Sequence, residues 1–188
     1  METQQESLTY EKVWAMFQET DKKFQEMVAQ SKETDRRFWE TDRKMKALQN
    51  LFEGQWGRLV ESLIEGDLIN LLQNRNIDVN ESYSRVKKKF EGKQYEIDIL
   101  VANGSEIVAV EVKTTLKVKK VEHFINKLKI FKEVFPHYKE RIVYGGMAFI
   151  REEESSAEFA ERCGLFVIKG TGKSSSIINS DEFKPKIF

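Results

Sequence analysis

Between residues 10 and 52 the chain contains neither glycine nor proline, and one seven-residue register runs through the whole stretch. Position a carries Tyr10, Phe17, Phe24, Ser31, Phe38, Met45 and Phe52; position d carries Val13, Thr20, Met27, Thr34, Thr41 and Leu48. Apolar residues sustained at a and d specify a long helix with a seam along one side. At about 1.5 Å per residue this helix is on the order of 65 Å long. A lone helix buries little, so the seam calls for a partner. Residues 20–24, 34–38 and 41–45 repeat one pattern, Thr-Asp-basic-basic-apolar, which sets Asp21, Asp35 and Asp42 at e and Lys23, Arg37 and Lys44 at g. In a parallel pair g faces e of the other helix and opposite charges meet, Arg37 near Asp42 for example; in an antiparallel pair like charges meet. A parallel homo-oligomer through residues 10–52 is predicted. Phenylalanine at a and threonine at d leave the number of strands open between two and four.

Gly54-Gln55-Trp56-Gly57 ends the heptads and is read as a helix break, dividing the chain into a coiled-coil segment, 1–53, and a domain, 54–188. The domain opens on a second helix, about 55–74, with Leu59, Leu63, Leu71 and Leu72 among its apolar positions. Residues 82–90 read as a first strand, with a turn at Glu91-Gly92-Lys93. Then come two short, β-branched, apolar stretches, 95–101 and 107–113, joined through Asn103-Gly104. Asn-Gly is a strong hairpin signal because both turn positions accept positive φ. A two-residue loop would pair Ala102 with Ser105 and set Asp98 opposite Ala109. Side chains alternate across a strand, so Ala109, Glu111 and Lys113 would share the face of Asp98, with Glu111 its diagonal neighbour. Aspartate is disfavoured in strands, and charge inside an apolar sheet needs a partner or a metal. On residue types alone, the patch reads equally as the solvated face of an antiparallel sheet.

Residues 118–134 read as a helix with Phe124, Leu128 and Phe131 inward, stopped by Pro136. A strand (141–150), a helix (152–162) and a last strand (165–169) follow, an order that suggests a parallel strand pair. The tail, 174–188, is polar until its apolar end, which could dock on the domain. Gly170-Thr171-Gly172-Lys173-Ser174 lacks the first glycine of a phosphate-binding loop, since Val stands at 167.

Asp98, twelve residues, then Glu111-Val112-Lys113, set among a helix, three strands, a helix and a strand, resembles the PD-(D/E)XK nuclease superfamily over roughly residues 55–169. It is also similar to uncharacterised bacterial and archaeal members that carry a coiled coil ahead of the domain. The resemblance implies an α/β fold, a restriction-endonuclease-like αβββαβ core with a mixed central sheet, here preceded by the long coiled-coil helix. It implies catalytic roles for Glu61, Asp98, Glu111 and Lys113. A Mg²⁺ ion, or alternatively Mn²⁺, would be held by Asp98, Glu111 and the main-chain carbonyl of Val112. Lys113 would position water and stabilise developing charge, and Glu61 would assist from the first domain helix. Gly57 four residues before Glu61 resembles the family's opening motif; Glu65, one turn on, shares the same helix face and is the alternative. Solvated helix glutamates are the plain reading of both.

Composition limits the partners. The 31 basic and 31 acidic residues cancel, so no global charge announces nucleic acid. Lysine and arginine do gather locally, at Arg85 and 87–89, at Lys117, Lys119 and Lys120, and at Lys127, Lys129 and Lys132. Such clusters suit phosphate contacts and equally a solubilising surface. The single Cys163 rules out an intrachain disulfide. With no signal-peptide pattern and no apolar run long enough to span a membrane, a soluble cytoplasmic protein is expected. His123 and His137 have no metal-ligand spacing. Two functions follow: a Mg²⁺-dependent DNA endonuclease oligomerised by its coiled coil, or a catalytically idle nuclease-fold oligomer that binds nucleic acid or protein.

Overall fold

A computed structural model describes residues 9–188, so the first eight residues of the predicted 1–53 segment lie outside the described residues. The chain divides into two compact units, one ending at Phe52 and one running Glu53–Phe188. The first is helical from Tyr10 onward, as part of α1 (Tyr10–Gln73). The expected break at Gly54 and Gly57 does not occur, and both glycines lie within α1. A glycine inside a helix costs about 1 kcal/mol, which the hydrogen bonds of the flanking turns and the burial that begins at Val60 outweigh. The helix stops instead at Gln73, beyond which Asn76 takes a φ of 61° and its N–H bonds to the Gln73 carbonyl.

Along the first unit the a and d residues other than the half-buried Val13 are exposed, Phe17 at 67%, Phe24 at 58% and Phe38 at 66%. The threonines of the d row are satisfied within the helix: Thr20 Oγ1 donates to the Met16 carbonyl at 2.7 Å, Thr34 to Gln30 at 2.9 Å and Thr41 to Arg37 at 2.8 Å. Their charged neighbours pair along the helix, Arg37 with Glu33 at 2.9 Å and Lys46 with Asp42 at 2.8 Å.

In the second unit α1 buries Val60, Ile64, Leu68 and Leu72, a stripe at four-residue spacing. The predicted Leu59/Leu63 stripe is therefore displaced by one position; Leu59 is 60% exposed. Polar anchors on neighbouring faces fix this rotation. Asp67 accepts from the Ser175 N–H at 2.6 Å, and Glu65 accepts from Ser82 and Ser84.

After α1 come β1 (Glu81–Phe90), β2 (Lys93–Ala102), β3 (Glu106–Leu116), α2 (Val118–Lys129), α3 (Phe131–Val134), β4 (Ile142–Glu152), α4 (Ser156–Arg162), β5 (Phe166–Gly170) and β6 (Ser175–Ile177). The six strands of the described residues form one sheet in chain order. β1, β2 and β3 are antiparallel, β3, β4 and β5 parallel, and β6 antiparallel to β5. The predicted helix 118–134 divides at Ile130. The tail is not merely polar: it supplies β6, and at its end the Phe188 N–H bonds to the Val143 carbonyl.

The sheet separates two cores. Ile99, Val101, Val108, Val110 and Ile168 pack with the buried stripe of α1. Leu100, Ile107, Ala109 and Val167 pack with Phe124, Leu128 and Phe131 of the α2–α3 side. The domain is thus a three-layer mixed α/β fold.

The β2–β3 register differs from the expected one by two residues. Ala102 pairs with Ile107, not Ser105, and the ladder ends at Ile99–Val110. Asn103 is the cause: its side-chain Oδ1 accepts from the N–H groups of Ser105 and Glu106 at 2.7 and 2.6 Å, opening a longer loop than a two-residue turn. Strand faces repeat every two residues, so a shift of two by itself leaves the β3 side chains on their expected face, whereas β2 breaks its alternation at Asp98, where Ile97 and Leu100 both join the α2-side core. The shift moves Glu111 from the diagonal of Asp98 to the position directly across.

Candidate active site

The site forms where β2 and β3 part. Beyond Ile99–Val110 no backbone pair continues the ladder. The Asp98 side chain fills the gap, its Oδ2 accepting from the Val112 N–H at 2.8 Å. β2 also changes phase here: Leu100 and Ala102 lie in the α2-side core, as do Ile97 and Tyr95 on the other side of Asp98. Across on β1, Arg85 sits between the paired Ser84 and Val86 with a φ of 54°. That is a left-handed conformation that arginine adopts only under constraint from its surroundings.

Three oxygens converge on one cationic centre, the Lys113 ammonium. Glu111 Oε1 and the Val112 carbonyl are each 2.8 Å from Nζ, and Asp98 Oδ2 is 3.4 Å away. Glu111 is buried and holds a second ammonium on its other oxygen: Lys127 Nζ lies 2.8 Å from Oε2 and also donates to the Glu96 carbonyl at 3.1 Å. Lys127 comes from α2, three residues after the buried Phe124 and one before the buried Leu128. It therefore sits on the edge of that helix's buried stripe. A lysine at such a position is the one sequence signal that could have singled it out from the other basic residues.

The two carboxylates differ electrostatically. Burial, then the proximity of Glu111, pushes Asp98 above the ordinary carboxylate range, and Lys113 and the Val112 N–H only partly offset this. Burial would raise Glu111 too, but the ammonium groups of Lys113 and Lys127 hold it below its ordinary value. For Lys113 burial opposes the charge, yet Glu111 and Asp98 outweigh it and raise the pKa. At neutral pH the cluster is an ionised Glu111 between two ammonium groups, with Asp98 held less firmly in its ionised form than an ordinary aspartate.

Glu61 does not join this cluster directly. Its carboxylate is held by both arms of Arg85, at 2.9 and 3.2 Å. Glu65, the alternative, faces the start of β1 through Ser82 and Ser84 at 2.9 and 2.5 Å. Of the two, Glu61 is electrostatically coupled to Asp98. Among the described residues no group of three or more His, Cys, Asp or Glu side chains is arranged to hold a metal. The oxygens that do converge are two carboxylates and one carbonyl. This is a hard-oxygen set whose chemistry fits Mg²⁺ or Mn²⁺. Other basic residues are partly committed, Lys87 to Glu96 at 3.4 Å and Lys117 to Glu153 at 3.1 Å.

Fold and site together define a mixed α/β domain with an acid–lysine cluster at the divergence of two strands. The chain belongs to the family described as "Domain of unknown function (DUF4143)", whose model matches residues 56–160. Among solved structures it is similar to the one titled "Crystal Structure of Protein of Unknown Function AF1548", at 16% identity and a TM-score of 0.40, each chain 58% covered. The chain thus spans less than two thirds of that protein's length. No curated protein matches it. No helix among the described residues is long and apolar enough to cross a membrane.

Proposed function

We propose that this domain is a Mg²⁺-dependent phosphodiester hydrolase of the PD-(D/E)XK type, a DNA endonuclease. The observation that carries this reading is the convergence of Asp98 Oδ2, Glu111 Oε1 and the Val112 carbonyl on one cationic point. A divalent cation at such oxygens supplies charge neutralisation to a phosphate and activates water. The chain's own residues do the rest. Glu111 stays ionised at neutral pH because two lysines flank it. Asp98 is locked by the Val112 N–H, so its free lone pairs face the same point. Lys113, displaced from the three oxygens, has the reach and charge to meet a phosphoryl oxygen and orient water. Lys127 holds Glu111 in its rotamer throughout. Glu61 assists only once Arg85 lets it go, and a phosphate is the kind of bidentate partner that could draw Arg85 away.

The first unit fits self-association. The Thr20, Thr34 and Thr41 hydroxyls are already bonded to their own helix, so burying that row leaves no donor unsatisfied. The occupant we infer for the Phe17, Phe24 and Phe38 row is a second copy of the chain, parallel and in register.

A second reading is favoured by a separate observation. The absence of a third acidic ligand among the described residues, with Glu61 tied to Arg85, suits a catalytically idle scaffold that only binds nucleic acid. One experiment separates the two. Wild type should cleave DNA with Mg²⁺ or Mn²⁺, and Glu111→Gln should lose cleavage by at least about a hundred-fold while its circular dichroism spectrum is kept. Wild-type-like cleavage by a folded Glu111→Gln protein removes the catalytic assignment. A wild type that binds DNA yet cleaves no DNA structure with either metal supports the idle scaffold.

A further inference from the structure

Beside the carboxylates lies a cleft of about 340 Å³ between the β1–β2 hairpin and α2. The half-buried Phe90 and the buried Tyr95 line it from the hairpin, and the exposed His123 and Ile130 line it from the helix side. Glu91, Lys93, Gln94 and Asn126 complete the lining; the Gln94 amide offers both a donor and an acceptor, and Asn126 its N–H groups, since its Oδ1 accepts from Lys129 at 3.2 Å. Lys127 forms part of its wall, and this same lysine reaches Glu111 Oε2 at 2.8 Å. The wall is tied to the core, since the Tyr95 hydroxyl donates to the Lys127 carbonyl. Gln94 is shared with an adjoining depression lined by Lys87, Lys88 and Lys89. So a slot lined by rings, with amide and charged edges, stands one side chain away from the acid cluster, with lysines continuing from its rim.

We propose that this cleft receives one unpaired base of a nucleic-acid strand whose backbone lies across Asp98, Glu111 and Lys113. The proposal rests on the phosphodiester reading above and adds the form of the substrate. Aromatic faces stack any base, and amides meet its edge. The volume lies at the lower end of that of small-ligand sites, suited to one ring system. Bases in a continuous duplex have their faces already stacked, so the cleft selects a single strand, a flap or an extruded nucleotide. Lysines at the rim would follow the backbone away from the slot.

The test is fluorescence anisotropy in EDTA, where no cleavage can intervene. The probes are a fluorescein-labelled oligothymidylate of about twenty nucleotides and a blunt duplex of the same length. The full-length protein is compared with Phe90→Leu, which keeps apolar volume and loses the ring, and with His123→Ala, an exposed position that cannot unfold the domain. Each variant should bind the single strand about ten-fold more weakly and the duplex within about two-fold of wild type. Unchanged single-strand affinity in both variants overturns the proposal, as does an equal loss on both probes. If the wild type binds neither probe, the nucleic-acid reading fails, and this inference with it. If the wild type binds both but the variants are silent, the base slot alone is wrong.

Discussion

Replacing Lys113 by methionine removes the cation on which the three oxygens of the site converge. In the wild type the ammonium makes one close ion pair, one carbonyl contact and one longer ion pair, at 2.8, 2.8 and 3.4 Å, with the side chain 27% exposed. Hydrogen bonds to charged groups contribute on the order of 1.5–3 kcal/mol; partial exposure and desolvation of the lysine reduce the net to about 1–2 kcal/mol. Without added metal, Lys113→Met should therefore be less stable by about 1–2 kcal/mol, a fall in Tm of about 2–8 °C for a chain of this size. The oxygens left behind repel each other, so Asp98 should rise further above the usual carboxylate range. A divalent cation entering the wild type must displace the ammonium; in the variant it need not. The same 1–2 kcal/mol then appears as a Kd for Mg²⁺ lower by about five- to thirty-fold. Isothermal titration calorimetry with MgCl₂ reads the affinity directly. Thermal melts with and without Mg²⁺ read it again, since the cation should restore more stability to the variant than to wild type. Equal or weaker Mg²⁺ binding by a folded Lys113→Met protein refutes the view that these three oxygens form a cation site. DNA cleavage by the variant should be lost even as metal binding tightens.

Further expectations concern pH, assembly and packing. Glu111 is held below its ordinary pKa, so its contribution to stability is present above about pH 4.3 and is lost as pH falls through its folded value. Asp98 is raised, so its ionised form costs stability at neutral pH, and that cost is relieved as pH falls through its folded value. Carboxylate-detected NMR titration should find Asp98 above the ordinary aspartate range and Glu111 below the ordinary glutamate range, and shifts of the opposite sign would contradict the proposed geometry. Deleting residues 1–53 should leave a folded monomer of about 135 residues, while the full-length chain sediments as a parallel oligomer. A monomeric full-length protein, or a truncation that associates equally well, would end the coiled-coil reading. Gly145 in β4 has Leu128 and Leu165 where a Cβ would stand, so Gly145→Ala should cost about 1–3 kcal/mol in urea unfolding. A neutral Gly145→Ala would mean that the terminal methyls of Leu128 and Leu165 move aside rather than hold their packing on β4.

What could be read before folding was whatever repeats at short range. Periods of seven, of about four and of two are properties of consecutive residues. They gave the long helix, the strands of the hairpin, the parallel strand–helix–strand order and the common face of Glu111 and Lys113 on β3. The two-residue error in register left the β3 face unchanged because strand faces repeat at that same interval, but the break in the alternation of β2 at Asp98 was not legible. The glycine pair at 54 and 57 misled for the complementary reason. Local propensity there is weak, and burial of Val60, Ile64, Leu68 and Leu72 against the sheet outweighs it.

The contacts that make the cluster a site were not legible in this way, because they join residues far apart in the chain. Lys127 reaches Glu111 across 16 positions and Arg85 reaches Glu61 across 24. The loop length that decides the register lies in the side chain of Asn103, not in the Asn-Gly pair itself. The sequence by itself determined which elements form and which residues carry charge into an apolar sheet, since hydrogen bonding and side-chain alternation act between neighbours in the chain. Only the tertiary structure decided which of those charges meet, because that depends on how α1 and α2 are rotated against the sheet, and the rotation is set by burial summed over whole faces.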